Sequence, residues 1–125
     1  MKIYTSYFGN IRNIPPDIVL ISIARHTPAW FDGLRIEILA PNDHTRARYN
    51  LDGNEERYAI EYTKDVLQYL YAPKLVQILE VKSGGKDVVL LCYESPEKFC
   101  HRHLLSNWLN QNGFRCQEYL HEDNL

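Results

Sequence analysis

Long apolar runs mark the strands of this chain. Lys2 to Phe8 is rich in aromatic and β-branched residues and ends at Gly9-Asn10, which predicts a strand followed by a turn. Asp17 to Ala24 and Asp87 to Tyr93 are almost continuously apolar, as is typical of strands covered on both faces in a parallel or mixed sheet. A last short strand is expected from Phe114 to Tyr119.

Helical spacing appears between these runs. Glu55 to Leu70 repeats apolar or aromatic residues at helical intervals, and Asn54 precedes it as an N-cap. Further helices are predicted over Lys74 to Lys82 and from Phe99 or Cys100 to Asn112. These patterns indicate alternating strands and helices in the second half of the chain.

The stretch from Arg25 to Asn54 has weak periodicity and many Pro, Gly, Trp and Asp residues, which predicts a long irregular connection. Leu34 to Leu39 is expected to form a short helical turn or strand within it. Because strand, helix and strand in succession form a right-handed crossover, we expect an α/β fold in one domain over residues 1–125. The expected sheet is mostly parallel, with about four to five strands flanked by helices in a Rossmann-like three-layer arrangement.

Composition and charge argue against some classes of function. The chain has 125 residues, 14 basic and 16 acidic, and its net charge of -2 is scattered, which argues against an extended nucleic-acid surface. No apolar run reaches the ~20 residues of a membrane span, and the N-terminus lacks signal-peptide features, so a cytoplasmic protein is expected. Three cysteines without an export signal favour reduced thiols. The oligomeric state stays open.

Reactive side chains collect between Cys92 and His103. Ligands of open α/β sheets bind beyond the carboxyl ends of the strands, so Cys92, Glu94 and Cys100 are expected near one another. The helix that starts there directs its free N–H groups and positive dipole end at the same crevice. A small anionic ligand is therefore expected.

Two residues are candidates for catalysis. Cys100 lies at a helix N-terminus beside His101 and Arg102, where a lowered thiol pKa would give a nucleophilic or redox-sensitive thiolate. Its alternative role is packing at a tight junction. Glu94 follows the strand end and can act as a general acid or base, or pair with Arg102 or Arg25 instead.

Five further residues are candidates for ligand binding: Arg25, Trp30, Cys92, His101 and Arg102. The arginines offer planar forks for a phosphate or carboxylate, and the indole offers a stacking surface for a base. The arginines, the tryptophan and Cys92 have structural alternatives, since arginines also clamp loops or lie on the surface, loop aromatics anchor to cores, and cysteines at strand ends pack there.

A zinc site is not expected from the sequence. Cys92, Cys100, His101 and His103 have suitable side chains, but their spacing matches no usual ligand pattern. Adjacent Cys100 and His101 are also expected to point in different directions. We therefore predict no metal ligand and no cofactor, and keep a redox-active pair of Cys92 and Cys100 as a minor alternative.

Several segments resemble the domain of unknown function 488 family. The most specific are CYE at positions 92–94, CHR at 100–102 and SIAR at 22–25. Longer resembling segments are KIYTSYFGNIRNIP, ISIARHTPAWFDGLRIEILAP and VVLLCYESPEKFCHRHLLSNWL. The resemblance implies a small bacterial or phage-encoded protein with an α/β fold and no generally established activity.

Two classes of function remain open. In the first, a nucleotide-like or otherwise phosphorylated small molecule is bound, and either Cys100 or Glu94 serves a hydrolase or transferase. In the second, the chain is a non-enzymatic interaction or ligand-sequestering accessory protein, with Cys92, Glu94 and Arg102 as a structural lock. Its surface patch would then consist of Tyr58, Tyr62, Tyr69 and Tyr71, although tyrosines at helical spacing are more often core residues.

Overall fold

Five parallel strands form the centre of the computed structural model, which describes residues 1–120. The strands are β1 (Ile3–Tyr7), β2 (Val19–Ser22), β3 (Leu34–Arg35), β4 (Val88–Cys92) and β5 (Cys116–Glu118). Their order across the sheet is β3-β2-β4-β1-β5, and every pairing is parallel. The predicted α/β class, with its mostly parallel sheet, is confirmed. Residues 121–125 of the predicted domain lie outside the described residues.

Strand β4 is the centre of the sheet because its sequence can be buried on both faces. Its five residues, VVLLC, are all buried, and it pairs with β1 on one side and β2 on the other. Val88 and Leu90 join one apolar cluster, while Val89 and Leu91 join the other. This is the period-2 alternation of a strand whose two faces are both apolar.

Helices cover the two faces unequally. The four α-helices are α1 (Asp43–Asp52), α2 (Glu55–Asp65), α3 (Ala72–Ser83) and α4 (His101–Gln111). Short 3-10 helices span Phe8–Asn13, Glu37–Leu39 and Leu67–Tyr69. Helices α2, α3 and α4 pack on the face of the larger core cluster, to which they contribute Tyr58, Tyr62, Leu75, Leu79, Leu105 and Leu109. The opposite face is covered by the first 3-10 helix and the loop that carries Phe31.

Helix α2 begins where its sequence predicts and ends earlier. The Asn54 side chain accepts a hydrogen bond of 3.0 Å from the backbone N–H of Arg57, as an N-cap does. The α-helix ends at Asp65, and a 3-10 turn replaces the predicted last turns up to Leu70. The tyrosine spacing therefore located the buried face correctly, but not the end of the helix.

Helix α1 corrects the irregular connection predicted over Arg25 to Asn54. Only Thr45 is buried in α1, so no apolar stripe is visible in its sequence. The helix is closed by Gly53 in the left-handed conformation (φ 64°) and tied to α2 by an ion pair of 3.2 Å between Arg48 and Glu61. Contacts with α2 thus stabilise α1, although its sequence has no amphipathic pattern.

The connections that leave β1 and β4 run over opposite faces of the sheet. Residues after β1 join the apolar cluster of Phe8, whereas α4, which follows β4, packs on the other face. Neighbouring strands whose connections diverge leave a crevice at their carboxyl ends, and the candidate site lies at the same edge of the sheet, one strand away, at the ends of β2 and β4. None of the helices within residues 1–120 is long and apolar enough to cross a membrane.

Candidate functional site

A cavity of about 70 Å³ lies at the carboxyl edge of the sheet, and we refer to it as the carboxyl-edge cavity. The ends of β2 and β4, helix α1, Tyr58 of α2 and the start of α4 enclose it. Five of the predicted site residues line it: Arg25, Cys92, Glu94, Cys100 and His101. Arg102 and Trp30 are not among its lining residues. The topology therefore gathers most of the predicted site in one place.

The two cysteines of this site contact each other. A disulfide joins Cys92 and Cys100, whose Cα atoms are 7.6 Å apart. The expectation of reduced thiols therefore holds in the described part of the chain only for Cys116, which is free and buried.

The His101 ring lies beside the same sulfur atoms, with Nδ1 3.7 Å from the Cys100 Sγ. The sequence-based argument that Cys100 and His101 must diverge is wrong, for a backbone reason. Cys100 is the N-cap of α4 and is extended (φ -157°, ψ 149°), so its side chain does not follow helical spacing. His103, the other histidine considered, does not belong to the group formed by Cys92, Cys100 and His101.

His101 has a defined tautomer. Its Nε2 lies 2.8 Å from the backbone carbonyl oxygen of Ile23, which can only accept, so Nε2 carries the proton. Burial lowers the pKa of the ring to about 4, and the positive charge of Arg102 adds to this effect. The imidazole is therefore neutral at physiological pH, with the lone pair of Nδ1 on the side of Cys100.

Arg102 bonds to other parts of the protein, whereas the sequence suggested that it binds a ligand. Its side chain is fully buried and forms a two-pronged ion pair with Glu118, through Nε at 3.1 Å and Nη2 at 2.9 Å. Nη1 donates to the Cys92 Sγ at 2.9 Å and to the backbone carbonyl of Glu94. The guanidinium thus holds the loop after β4 against α4 and β5, and acts on the cavity through Cys92.

Glu94 is held by its backbone and leaves its carboxylate available. The side chain is exposed and lines the cavity, and within residues 1–120 no hydrogen bond or ion pair engages its carboxylate. Its negative charge adds to burial in raising the pKa of the Tyr58 and Tyr49 hydroxyls on the cavity wall. Glu94 therefore faces tyrosines that stay protonated and able to donate hydrogen bonds.

Basic side chains surround one carboxylate at the rim. Asp43, at the start of α1, lies 3.7 Å from Arg25, 3.0 Å from His26 and 3.4 Å from Arg46. The hydrogen bond from His26, reinforced by the two arginines, lowers the pKa of Asp43. Arg46 and His26 line the cavity but escaped the sequence analysis, because both lie in the stretch that was predicted to be an irregular connection.

Aromatic residues proposed from the sequence lie elsewhere. Trp30 is exposed and packs edge-on against Phe8 and Phe31, at 6.1 and 6.4 Å between ring centroids. The four-tyrosine patch is divided, since Tyr58 and Tyr62 are core residues while the other two are exposed. The loop-anchoring alternative therefore describes this aromatic cluster better than a stacking wall at the cavity.

Comparison with known proteins gives one family. The model of the DUF488-N3a family, described as "Active DUF488-N3 subclade", matches residues 9–113. Searches of curated proteins and of solved structures returned no match. The matched region contains every residue of the carboxyl-edge cavity. Because the match spans most of the sequence, the chain belongs to the DUF488-N3a family.

Proposed function

We propose that the protein is a hydrolase or group transferase that acts on a small anionic group bound in the carboxyl-edge cavity. Glu94 and Cys100 are its candidate catalytic residues, and Arg25 is its candidate anion-binding residue. One observation carries the proposal: a carboxylate, two sulfur atoms, a neutral imidazole and basic side chains all line the same small space. Clusters of titratable groups in a cleft are typical of catalytic sites.

The size of the cavity limits what part of a substrate enters it. Pockets that enclose drug-sized ligands measure roughly 300–1,000 Å³, well above the 70 Å³ found here. The space suits a phosphate or carboxylate group rather than a complete nucleotide. The rest of a nucleotide-like substrate would lie across the rim, beside the exposed ring of Tyr93.

The positive rim supports an anionic group. Arg25 and Arg46 outnumber the single carboxylate of Asp43 that they share, so this part of the rim carries excess positive charge, while Glu94 supplies a negative charge to the same cavity. Arg25 contacts Asp43 only through Nε, at 3.7 Å. Its terminal nitrogens are therefore able to bind a phosphate in the planar two-pronged manner of arginine.

Glu94 is the better candidate for proton transfer. Its carboxylate is accessible and has no competing partner within residues 1–120, as a general acid or base requires. Cys100 is less suited to act as a nucleophile alone, since its sulfur is bonded to Cys92 and, after reduction, the lowered pKa of His101 makes that imidazole a weak acceptor for the thiol proton. In this proposal Cys100 acts together with Cys92 and His101, whose side chains adjoin it, and not as a separate nucleophile. The word "Active" in the family description is consistent with catalysis.

Anion binding is tested first. Inorganic phosphate and a series of nucleoside mono- and triphosphates should raise the melting temperature of the wild type by mass action. Arg25→Gln should abolish the shift, whereas Arg12→Gln, an exposed arginine outside the cavity, should retain it. If none of these anions raises the melting temperature of the wild type, the proposal is contradicted.

Catalysis is tested with the same compounds and p-nitrophenyl phosphate, by measuring release of phosphate or p-nitrophenol. Glu94→Gln should lower turnover by at least about 100-fold, the usual contribution of a general acid or base. Glu97→Gln is a matched control in the same loop, since its carboxylate bonds Ser95 instead of facing the cavity. Binding without turnover would favour the ligand-sequestering alternative.

A further inference from the structure

We propose that Cys92, Cys100 and His101 bind a zinc ion through their two sulfur atoms and Nδ1, leaving a fourth coordination position open to the carboxyl-edge cavity. This inference deepens the proposed function and rests on it for the catalytic role of the ion. The binding itself is argued from the geometry of the three side chains. Two thiolates and one imidazole with an open fourth position form one of the ligand sets of catalytic zinc.

The three potential ligand atoms come from two elements that meet at the cavity, one strand and one helix. Cys92 ends β4, Cys100 caps α4 and His101 begins that helix. One ligand atom from each lies within 4.8 Å of the other two, and all three side chains are buried yet line the cavity. A buried site with access from one side both excludes bulk water and admits an exchangeable ligand.

The histidine is held as a metal ligand would be. Metal-binding histidines usually donate their second ring N–H to a carboxylate or a backbone carbonyl, which fixes the tautomer and the ring orientation. Here Nε2 makes that bond to the Ile23 carbonyl at 2.8 Å, and Nδ1 is left for the ion. This contact joins the carboxyl end of β2 to the start of α4 and is independent of the two cysteines.

The distances fit a tetrahedral ion. With Zn–S near 2.3 Å and Zn–N near 2.0–2.1 Å, tetrahedral angles put a sulfur and a nitrogen ligand about 3.6 Å apart. The observed separation of Cys100 Sγ and His101 Nδ1 is 3.7 Å. Two sulfur ligands of zinc lie about 3.8 Å apart on the same reasoning, so the sulfur atoms of Cys92 and Cys100, which are bonded to each other here, must separate on reduction before the ion binds. The Cα separation of 7.6 Å between Cys92 and Cys100 exceeds the usual disulfide range of about 4.4–6.8 Å, so the backbone leaves room for an ion between them.

Charges around the site balance once the ion is bound. Two thiolates neutralise Zn²⁺, and the charge of Arg102 is matched by Glu118. Arg102 also donates to the Cys92 Sγ at 2.9 Å, a hydrogen bond of the kind that supports metal-bound thiolates. The ion binds the reduced site: a thiol reductant supplies two electrons and two protons to the disulfide, and zinc then displaces the two thiol protons.

The open position gives Glu94 a reaction partner. Water bound to zinc at that position becomes acidic near neutral pH. Glu94 would accept the proton of that water as the water attacks the bound substrate group, and would return the proton to the leaving group. Cys100 then acts as a metal ligand in this reaction and not as a nucleophile.

The test uses the full-length chain, reduced and treated with a chelator that is then removed. Titration with Co²⁺, a spectroscopic substitute for zinc, should give one tetrahedral ion per chain with a thiolate charge-transfer band, and Zn²⁺ should displace it. Cys92→Ser, Cys100→Ser and His101→Gln should each weaken binding by more than about 100-fold. Cys116→Ser and His103→Gln are matched controls outside the site and should bind as the wild type does.

Each outcome decides between the proposals. Circular dichroism shows which variants are folded, and Cys100→Ser alone suffices if His101→Gln is unfolded. A folded, reduced wild type without the thiolate band, or a Cys100→Ser variant that retains it, overturns the zinc site. Turnover that persists after chelation overturns the zinc role while the proposed hydrolase or transferase stands. Tight zinc binding without turnover of any tested compound overturns that proposed function and leaves the metal site intact.

Discussion

The two ends of the sheet carry cavities of very different size and chemistry. The cavity at the amino ends of β1 and β5 measures about 400 Å³, against about 70 Å³ for the carboxyl-edge cavity. The larger cavity is bordered by α3 and by side chains such as Tyr4, Val76 and Phe114, and none of its lining residues within positions 1–120 is a cysteine or a histidine. Volume and reactive chemistry are therefore separated in this protein.

The difference follows from the direction of the chain. In a parallel sheet, every strand delivers its following loop to the carboxyl edge, and the helix after that loop begins there. Helix α1, the N-terminus of α4 and the loop after β4 accordingly meet at the carboxyl-edge cavity. At the amino end, polar groups are satisfied locally, as in the hydrogen bonds between Asn110 and Cys116.

The largest expected effect concerns the ion pair behind the carboxyl-edge cavity. Arg102→Met leaves the carboxylate of Glu118 largely buried without its partner and should lower the free energy of unfolding by about 3 kcal/mol, measured in urea. Arg115→Met, an exposed arginine, should change it by less than about 0.5 kcal/mol. A loss below about 1 kcal/mol for Arg102→Met would show that this end of the sheet does not depend on the ion pair.

A smaller effect is expected from the polar contacts near the amino end. Asn110→Ala removes hydrogen bonds to both backbone groups of buried Cys116 and one to the Ser106 carbonyl. The free energy of unfolding should fall by about 2 kcal/mol, while the affinity for Co²⁺ stays unchanged. Asn107→Ala, exposed on the same helix, should be close to neutral in the same urea series. A change in Co²⁺ affinity for Asn110→Ala would mean that the two ends are coupled.

Filling the larger cavity should change neither stability nor anion binding by much. Val76→Met adds volume to a half-buried position on its wall and should alter stability by less than about 1 kcal/mol in either direction. The phosphate-induced rise in melting temperature should match that of the wild type. If this variant lost the phosphate response, the anion site would have to be assigned to the amino end.

The smallest expected effect on stability is that of Glu94→Gln. The side chain is exposed and forms no ion pair within the described residues, so stability should change by less than about 0.5 kcal/mol. Its loss of turnover would then report on chemistry alone. A marked destabilisation in thermal unfolding would instead assign Glu94 to the structural lock around Arg102.

Patterns of apolar residues predicted β4 best because that strand is buried on both faces. The run Asp87 to Tyr93 contains β4, and the run Asp17 to Ala24 contains β2. Helix α1 was missed for the opposite reason. Its sequence, DHTRARYNLD, buries one residue and is stabilised by contacts with α2, which no local pattern reveals.

Among the site residues, the sequence identified the segment and misjudged its internal geometry. Chain direction alone brought Cys92, Glu94 and Cys100 to one edge, as expected. The orientation of His101 beside Cys100 depended on an extended N-cap residue and on a carbonyl 78 positions away in the chain. The buried pairing of Arg102 with Glu118 likewise required β5 to pair beside β1.

The sequence by itself determined the class of fold and the segment that carries reactive groups, because hydrophobic periodicity and the direction of parallel strands are local or nearly local properties. Tertiary structure alone decided which of those groups face a common space and which are consumed by structural partners. Ligand geometry is set by backbone angles at one cap and by hydrogen bonds between distant elements. Neither is encoded in the spacing of residues along the chain.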